Sequence, residues 1–188
     1  NTVVIFTSDN GGLATLRKRG GPTANVPLRA GKGWCYEGGI RVPFIIRAPG
    51  VTQPASTCST PVNSADLYPT MLALAGLDLA PEQHADGADL SPLLRGGTEL
   101  GRDSIVWHYP HYHGSAWTPG SAIRSGRWKL IEFYDKGKTE LYDLETDASE
   151  TTDLSRKEPE RTASLRQRLN DYLDSVDAQR TRPREDDR

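Results

Sequence analysis

The chain is poor in cysteine, in long apolar stretches and in net charge, and each scarcity excludes a class of protein. Two cysteines in 188 residues are too few for a disulfide-stapled scaffold, and their spacing fits no zinc motif. No apolar stretch is long enough to span a bilayer, so we expect no membrane span. With 23 basic and 25 acidic residues, the net charge of −2 gives no general attraction to nucleic acid.

Apolar residues are scarce as well. They make up 36% of the chain, and the mean hydropathy is −0.60. This composition fits one medium domain or two small ones, and it is typical of a chain that packs against further protein. Because a strand pattern follows Asn1 at once, we expect an N-terminal portion of the protein to precede it. We expect Cys35 and Cys58 to be ordinary thiols, with a bond between them left open in an oxidising compartment.

The most informative segment is an apolar run, VVIF at residues 3–6, that leads into TSDNGG at residues 7–12. The run predicts a buried β-strand, with Asp9 and Asn10 at its carboxyl end, where open α/β sheets bind ligands. Their side-chain oxygens suit a hard divalent cation, and the two glycines let the backbone turn sharply. An ordinary Asx turn is the alternative. Because calcium takes about six to eight oxygen ligands, we expect further ligands from outside this chain.

A second dense segment, PLRAGKGWCYEGGIRVP at residues 27–43, places Lys32 between two glycines. Glycine neighbours let the backbone approach a ligand closely, and a lysine ammonium is a compact charge suited to sulfate or phosphate oxygens. A solvated surface lysine is the alternative. Arg29 and Arg41 add positive charge, and we expect at least one of them to pair with Glu37. Together the two segments predict a metal-assisted site for an anionic ester.

Three of the four histidines lie in one short segment, HYPHYHG at residues 108–114. On a strand, His111 and His113 would share a face and could bind a metal, but the proline and glycine of the segment favour a loop. Satisfied or solvent-facing histidines are one interpretation. The other is a substrate-contacting rim in which imidazole donates to a polar ligand. His108, His111 and Arg29 are our candidate substrate contacts.

The order of elements predicts an α/β layer followed by a smaller unit with a different character. We predict strands, a helix capped by Asn63 or Ser64 and ended by Gly76, a meander with two glycine turns, and a closing helix with one apolar face. The predicted strands are residues 1–6, 41–47, 104–108, 122–124, 128–134 and 139–144, and the predicted helices are residues 64–76 and 158–176.

The predicted domains follow from a change of character near residues 96–97. They are an α/β part at residues 1–100, an antiparallel sheet with a packed helix at residues 101–178, and a disordered tail at residues 179–188. The long loop at residues 11–27, with its basic cluster at 17–19, is predicted to be functional or mobile.

The two dense segments resemble the formylglycine-dependent sulfatases of the alkaline-phosphatase superfamily. The resemblance continues through residues 65–76, 89–96 and 140–147 into the closing helix. It implies the C-terminal part of an alkaline-phosphatase-like mixed sheet flanked by helices. A small α+β subdomain, an antiparallel sheet with a packed C-terminal helix, follows that part. It also implies that Asp9 and Asn10 ligate calcium, and that Lys32 contacts the sulfate and the bridging oxygen of the leaving group.

The family's nucleophile is a formylglycine in a Cys/Ser-x-Pro-x-Arg motif, which this chain lacks because neither Cys35 nor Cys58 fits it. We therefore interpret the chain as the C-terminal part of a sulfatase, inactive without the N-terminal part of the same protein. The implied substrate is a sulfate-ester small molecule or a sulfated glycan, and family habit suggests a periplasmic, secreted or lysosomal protein.

Three alternatives remain open at this point. A phosphodiester or phosphonate hydrolase of the same superfamily would use the same metal and lysine. A non-catalytic module would bind sulfated glycan through Lys32, Arg29 and the histidine segment. A purely structural C-terminal half would contribute packing alone.

Overall fold

The computed structural model describes residues 1–15 and 21–181. The predicted basic cluster at residues 17–19 and the last seven residues of the predicted tail lie outside the described residues. The chain forms two compact units, the first of Asn1–Asp9 and Pro43–Ile105, the second of Asn10–Val42 and Val106–Arg188. One division point lies near the predicted boundary at residue 100, whereas the sequence did not predict that residues 10–42 join the second unit.

The first unit contains a two-stranded antiparallel sheet of β1 (Val4–Thr7) and β2 (Phe44–Arg47). Both strands were predicted to be buried, and this prediction is wrong for the chain as described. Phe6 pairs with Ile45 on one face of the sheet, and each side chain is 61% exposed. An apolar run shows that a strand prefers burial, but the burial itself depends on which elements cover the sheet.

The predicted helix of the first unit is confirmed. A 3₁₀ turn, Ser64–Asp66, leads into α2 (Leu67–Leu74), and Gly76 follows with a φ of +70°. Asn63 caps the start, because its side chain accepts a hydrogen bond from the Ala65 N–H at 3.0 Å. A short helix that the sequence did not predict, α3 (Ser91–Leu94), lies further along the unit.

Asp66 is the buried charge of the first unit. Its carboxylate accepts two hydrogen bonds from the Arg102 guanidinium, at 2.6 and 2.5 Å, and two more from the backbone N–H groups of Asn63 and Ala88. The side chain is fully buried, so these four donors replace the water that an exposed carboxylate would bind. Asp66 thereby ties the start of the helix to two later loops.

The second unit is built on a four-stranded antiparallel sheet with its strands in chain order, which confirms the predicted meander. The strands are β3 (Ile105–Tyr109), β4 (Gly120–Ser125), β5 (Trp128–Phe133) and β6 (Lys138–Asp143). The two tight turns contain Gly126 and Gly137, each with a φ of +56°, a conformation that favours glycine.

One face of this sheet carries the closing helix, α4 (Pro159–Ser175). Leu165, Leu169 and Leu173 pack against the sheet residues Ile123, Leu130 and Leu141. The prediction of a helix packed on the meander is therefore confirmed. Tyr172 and Val176 continue the helical spacing of these leucines in the sequence, but they are exposed, because they lie at the margin of the stripe and at the helix end.

The opposite face of the sheet carries the segment that contains the predicted lysine. Trp34, Cys35 and Tyr36 pack on aromatic and aliphatic side chains of the sheet and its loops. A single helical turn, α1 (Glu37–Ile40), follows this segment directly. The sheet therefore separates two layers, a helix on one face and an irregular, glycine-rich layer on the other.

We expect Asp66→Asn to lower the free energy of unfolding by about 3 kcal/mol, because the substitution leaves the Arg102 guanidinium without its charged partner. Asp78→Asn is the matched control, since Asp78 is exposed, and we expect it to change stability by less than about 0.5 kcal/mol. Urea unfolding of both variants measures the difference. Equal stability of the two variants would contradict a structural role for Asp66.

Candidate active site

Asp9 and Asn10 are consecutive, and the division between the units falls between them. Asp9 ends the first unit, where its exposed carboxylate accepts a long hydrogen bond of 3.5 Å from the Ser8 hydroxyl. Asn10 begins the second unit and is half-buried. The two predicted metal ligands therefore belong to different units.

Backbone hydrogen bonds join the glycine turn (residues 10–12) to the lysine turn (residues 31–33). The Lys32 N–H donates to the Gly12 carbonyl at 3.1 Å, and the Gly11 N–H donates to the Gly39 carbonyl at 2.9 Å. The two turns that the sequence singled out are thus direct neighbours within one unit. Their contact is made by the main chain, which fixes the backbone positions of both turns.

Asn25 holds the same contact from the side. Its Oδ1 accepts from the Gly12 N–H at 3.1 Å, and its Nδ2 donates to the carbonyls of Gly12 and Ala30 at 2.9 and 3.0 Å. The side-chain amide therefore supplies hydrogen-bond partners to backbone groups of both loops. The sequence analysis missed this residue, because a lone asparagine in a loop has the same appearance as ordinary turn chemistry.

Glycine is required where the turns meet, because no side chain fits there. A Cβ on Gly11 would lie 1.8 Å from the Gly38 carbonyl oxygen, and one on Gly31 would lie 2.4 Å from the Gly12 carbonyl oxygen. Real Cβ atoms do not approach backbone oxygens so closely. The glycines of both motifs therefore allow the backbones to pack closely, so that the loops can lie side by side.

Lys32 is exposed at the tip of its turn. Among residues 1–15 and 21–181, its ammonium has no ion-pair or hydrogen-bond partner. The cationic group is therefore available to an anion, while its backbone is held by Gly12. The turn combines a fixed main chain with an unpaired charge.

Arg29, a predicted substrate contact, has partners inside the unit. Its guanidinium lies over the Tyr36 ring, 3.9 Å from the ring centroid, and donates to the Tyr142 hydroxyl at 2.8 Å and to the Glu150 carbonyl at 2.9 Å. These contacts hold the segment before the lysine turn on the sheet. We therefore do not retain Arg29 as a substrate contact.

A buried ion cluster of Lys129, Glu37 and Glu150 lies beneath α1. The Lys129 ammonium contacts one carboxylate oxygen of Glu37 at 2.9 Å and one of Glu150 at 2.8 Å, and the Glu37 N–H donates to Glu150 at 2.6 Å. Arg41 contacts Glu37 at 3.7 Å, which confirms the pairing predicted for one of the two arginines. Burial raises the pKa of the Glu150 carboxyl, while Lys129 opposes this effect.

The cluster was missed by sequence reasoning for a physical reason. Lys129 interrupts an apolar strand, where a lysine is normally taken as a residue of a solvated face. Here it is fully buried, because two carboxylates from distant parts of the chain meet it. Burial also raises the pKa of the neighbouring Cys35 thiol to about 12, so this thiol is neutral near neutral pH.

The three histidines of the histidine segment (residues 108–114) have different surroundings. His108 uses both ring nitrogens internally, with Ser121 Oγ at 2.5 Å from Nδ1 and the Gln179 carbonyl at 2.8 Å from Nε2. His111 is exposed. His113 lies against the lysine turn, since a Cβ on Gly33 would be 2.2 Å from its Nδ1.

The hydrogen bond between His108 and the Gln179 carbonyl involves the first residue of the predicted disordered tail. Thr181 donates to the Pro110 carbonyl at 3.1 Å, and Arg180 pairs with Asp174 at 2.7 Å. Residues 179–181 are therefore attached to the second unit, in contrast to the disorder predicted for them.

Comparison with known proteins decides the family. The family model described as N-sulphoglucosamine sulphohydrolase, C-terminal, matches residues 30–179. A sulfatase of Formosa agariphila is 39% identical over 184 residues, which cover 92% of this chain and 32% of that protein. The chain belongs to the sulfatase family. Human arylsulfatase A is 42% identical over 136 residues, which cover 72% of the chain and 25% of that protein.

Solved structures agree with the fold expected of a sulfatase. The structure of Ps i-CgsB in complex with k-i-k-neocarrahexaose has a TM-score of 0.74 and 31% identity, covering 92% of this chain and 36% of that one. BT1596, described as a 2-O GAG sulfatase, has a TM-score of 0.72 and 26% identity, with the same coverage of 92% and 36%. The chain thus spans about a third of the length of these structures. In the described part of this sulfatase chain, no helix is long and apolar enough to cross a membrane.

We expect Gly11→Ala to lower the free energy of unfolding of the second unit by about 2 kcal/mol or more, because its methyl group would collide with the Gly38 carbonyl. Gly114→Ala is the control from the same unit, since a Cβ there meets nothing within 4 Å. Urea unfolding followed by tryptophan fluorescence measures both variants. Two variants of equal stability would show that the turns do not need their close contact.

Proposed function

We propose that the protein containing this chain hydrolyses sulfate esters, and that this chain supplies Lys32 as the cation that binds the sulfate group. The observation that carries the proposal is the unpaired Lys32 ammonium on a turn whose backbone is hydrogen-bonded to the glycine turn after Asn10. A sulfate ester presents several anionic oxygens in a small volume. A single compact ammonium held at a fixed position matches such a group.

We propose further that Asp9 and Asn10 are two ligands of a calcium ion. Their oxygen atoms are of the hard kind that calcium prefers, and the Asp9 carboxylate accepts a long hydrogen bond of 3.5 Å from the Ser8 hydroxyl. Among residues 1–15 and 21–181, no cluster of three acidic, histidine or cysteine side chains could hold a metal. The remaining ligands of the ion therefore belong to the rest of the parent protein. When bound, calcium would draw negative charge from the sulfate oxygens.

The contribution of this chain to the reaction is then electrostatic. Negative charge grows on the sulfuryl oxygens and on the departing alcohol oxygen as the S–O bond breaks. Lys32 stabilises that charge from a position fixed before the reaction, so little reorganisation is needed in the transition state. The formylglycine expected of the family would supply the nucleophile, and its motif lies outside this chain.

The substrate class that we propose is a sulfated sugar. Ps i-CgsB was solved with a neocarrahexaose, and BT1596 is described as acting at a 2-O position of glycosaminoglycan.

A phosphodiester hydrolase would need the same cation and lysine, so comparing a sulfate ester with a phosphate diester on the parent enzyme separates the two functions. A non-catalytic glycan-binding module is separated by titrating the isolated chain with a sulfated disaccharide. Tight binding without calcium would favour the module.

Lys32→Ala in the parent enzyme should lower the turnover of sulfate esters by about a hundredfold or more, because one fixed charge contact in the transition state is lost. Lys157→Ala is the control, since Lys157 is also exposed but is distant from Lys32 in the sequence. Steady-state kinetics with 4-nitrophenyl sulfate measures both. Full activity of Lys32→Ala would refute the proposed function.

The isolated chain of residues 1–188 should hydrolyse no sulfate ester, because the nucleophile and most calcium ligands would be supplied by the N-terminal part of the same protein. The assay compares the purified chain with the parent enzyme on 4-nitrophenyl sulfate in the presence of calcium. Robust turnover by the isolated chain would overturn this division of roles.

A further inference from the structure

We propose that His113 binds the substrate of the sulfatase site, by donating a hydrogen bond from its Nε2–H to a substrate oxygen beside the sulfate group held by Lys32. This inference rests on the proposed function and adds a residue to it. It also selects His113, whereas the sequence analysis chose the other two histidines of the segment, His108 and His111, as candidate substrate contacts.

The position of the ring is fixed relative to the lysine turn. A Cβ added to Gly33, the residue after Lys32, would lie 2.2 Å from His113 Nδ1 and 2.5 Å from Cε1. Gly33 has a φ of +83°, so glycine is suited to this position both by conformation and by the presence of the imidazole. The ring therefore occupies the space that a side chain at position 33 would otherwise fill.

The histidine segment is also attached to the lysine turn by a second contact. The indole N–H of Trp34 donates to the Ser115 carbonyl at 2.9 Å, and the Trp34 ring packs edge-on against Trp117, with ring centroids 5.7 Å apart. The His113 N–H in turn donates to the Trp117 carbonyl at 3.1 Å. These contacts hold His113 against the lysine turn without a contribution from the Lys32 ammonium.

The hydrogen bonds of Ser115 determine which ring nitrogen carries the proton. The Ser115 backbone N–H donates to His113 Nδ1 at 3.2 Å, and a backbone amide can only donate. Nδ1 is therefore an acceptor with a free lone pair, and the proton of the neutral imidazole is on Nε2. The Ser115 hydroxyl lies 2.8 Å from Nδ1 and can serve either tautomer, so the assignment depends on the backbone N–H alone.

The Nε2–H of His113 remains available to a ligand. Among residues 1–15 and 21–181, no group bonds to this atom, and the side chain is partly exposed. His108 differs because both of its ring nitrogens have partners, and His111 differs because it is exposed and is not among the groups nearest to Gly33. His113 thus combines a fixed ring, a defined tautomer and an unpaired donor next to the proposed sulfate-binding cation.

The chemistry of this donor defines what it recognises. A neutral N–H beside an ammonium group matches an oxygen acceptor. Two such acceptors exist on a sulfated sugar, an oxygen of the sulfate group and a neighbouring hydroxyl or ring oxygen. Both make the same hydrogen bond, so the experiment is designed to separate them.

The test uses a matched pair of variants in the full-length parent enzyme, His113→Gln and His113→Met. The two new side chains have similar length and volume, but only glutamine can accept from Ser115 and donate outward. We expect His113→Met to lower kcat/KM by about 10- to 100-fold, the range for a hydrogen bond to a charged group, mainly through KM. We expect His113→Gln to keep activity within about threefold of the wild type.

Two substrates separate the possible acceptors. 4-Nitrophenyl sulfate has a sulfate group and no sugar, whereas a sulfated glycosaminoglycan disaccharide that the wild type hydrolyses has both. A loss for His113→Met on both substrates places the acceptor on the sulfate group, and a loss on the disaccharide alone places it on the sugar. Either result supports the proposal. Unchanged kcat/KM on both substrates overturns it.

Controls distinguish this inference from a structural effect and from the proposed function. Tyr112→Met, in the same segment, should leave kcat/KM unchanged, because Tyr112 is 68% exposed and we assign it no contact with the substrate. A merely structural role of His113 would act through the Ser115 hydrogen bond, which methionine cannot accept. A loss of activity in His113→Met that is matched by a fall in its thermal unfolding midpoint would therefore overturn the inference, as would equal losses of activity in the two variants. If Lys32→Ala is inactive while His113→Met is fully active, only the inference about His113 fails. If Lys32→Ala keeps full activity, the proposed function itself fails.

Discussion

The organisation of the second unit depends on one backbone contact, the hydrogen bond from the Lys32 N–H to the Gly12 carbonyl. A direct contact between two loops requires both to lack side chains at the meeting point, and Gly11 and Gly31 meet this requirement. The contact brings the end of the glycine turn and the cationic lysine turn together at a fixed separation. Only the flexible Lys32 side chain then remains to be positioned, so the main chain largely sets the geometry that we propose for anion binding.

A glycine-rich layer gains little stability from side-chain packing, and the buried ion cluster compensates for this. Lys129 projects from the sheet and meets Glu37 and Glu150, which come from the segments on either side of the site. Removing one partner from such a cluster would leave an uncompensated buried charge, at a cost of about 3–5 kcal/mol. The cluster therefore selects one arrangement of the loops over alternatives. Glu150 has a φ of +52°, a conformation that few non-glycine residues adopt, and its three hydrogen-bonded and ionic contacts offset that cost.

The parts of the fold that local pattern determines were predictable from the sequence. The meander and the closing helix follow from alternation, glycine turns and helical spacing, and their observed bounds differ from the prediction by a few residues. The burial of β1 and β2 was predicted wrongly, because burial depends on covering elements that a local pattern does not contain. Lys32 stays a prediction, made from its glycine neighbours. Lys129 and Asn25 were not predicted, because each acquires its role from residues far away in the chain.

The groups that we propose as ligand contacts of the second unit are both donors, and this limits the part of the unit in the proposed chemistry. The Lys32 ammonium and the His113 Nε2–H would both stabilise negative charge, and neither is suited to attack sulfur. Cys35 lies close to the site in sequence, but burial raises the pKa of its thiol to about 12, so the nucleophilic thiolate is not formed near neutral pH. The sulfate-ester hydrolysis that we propose would therefore use a nucleophile from another part of the parent protein. Two observations lead independently to this interpretation. The chain lacks the nucleophile motif of the family, and the donors of the second unit are suited to hold the anion that a nucleophile would attack.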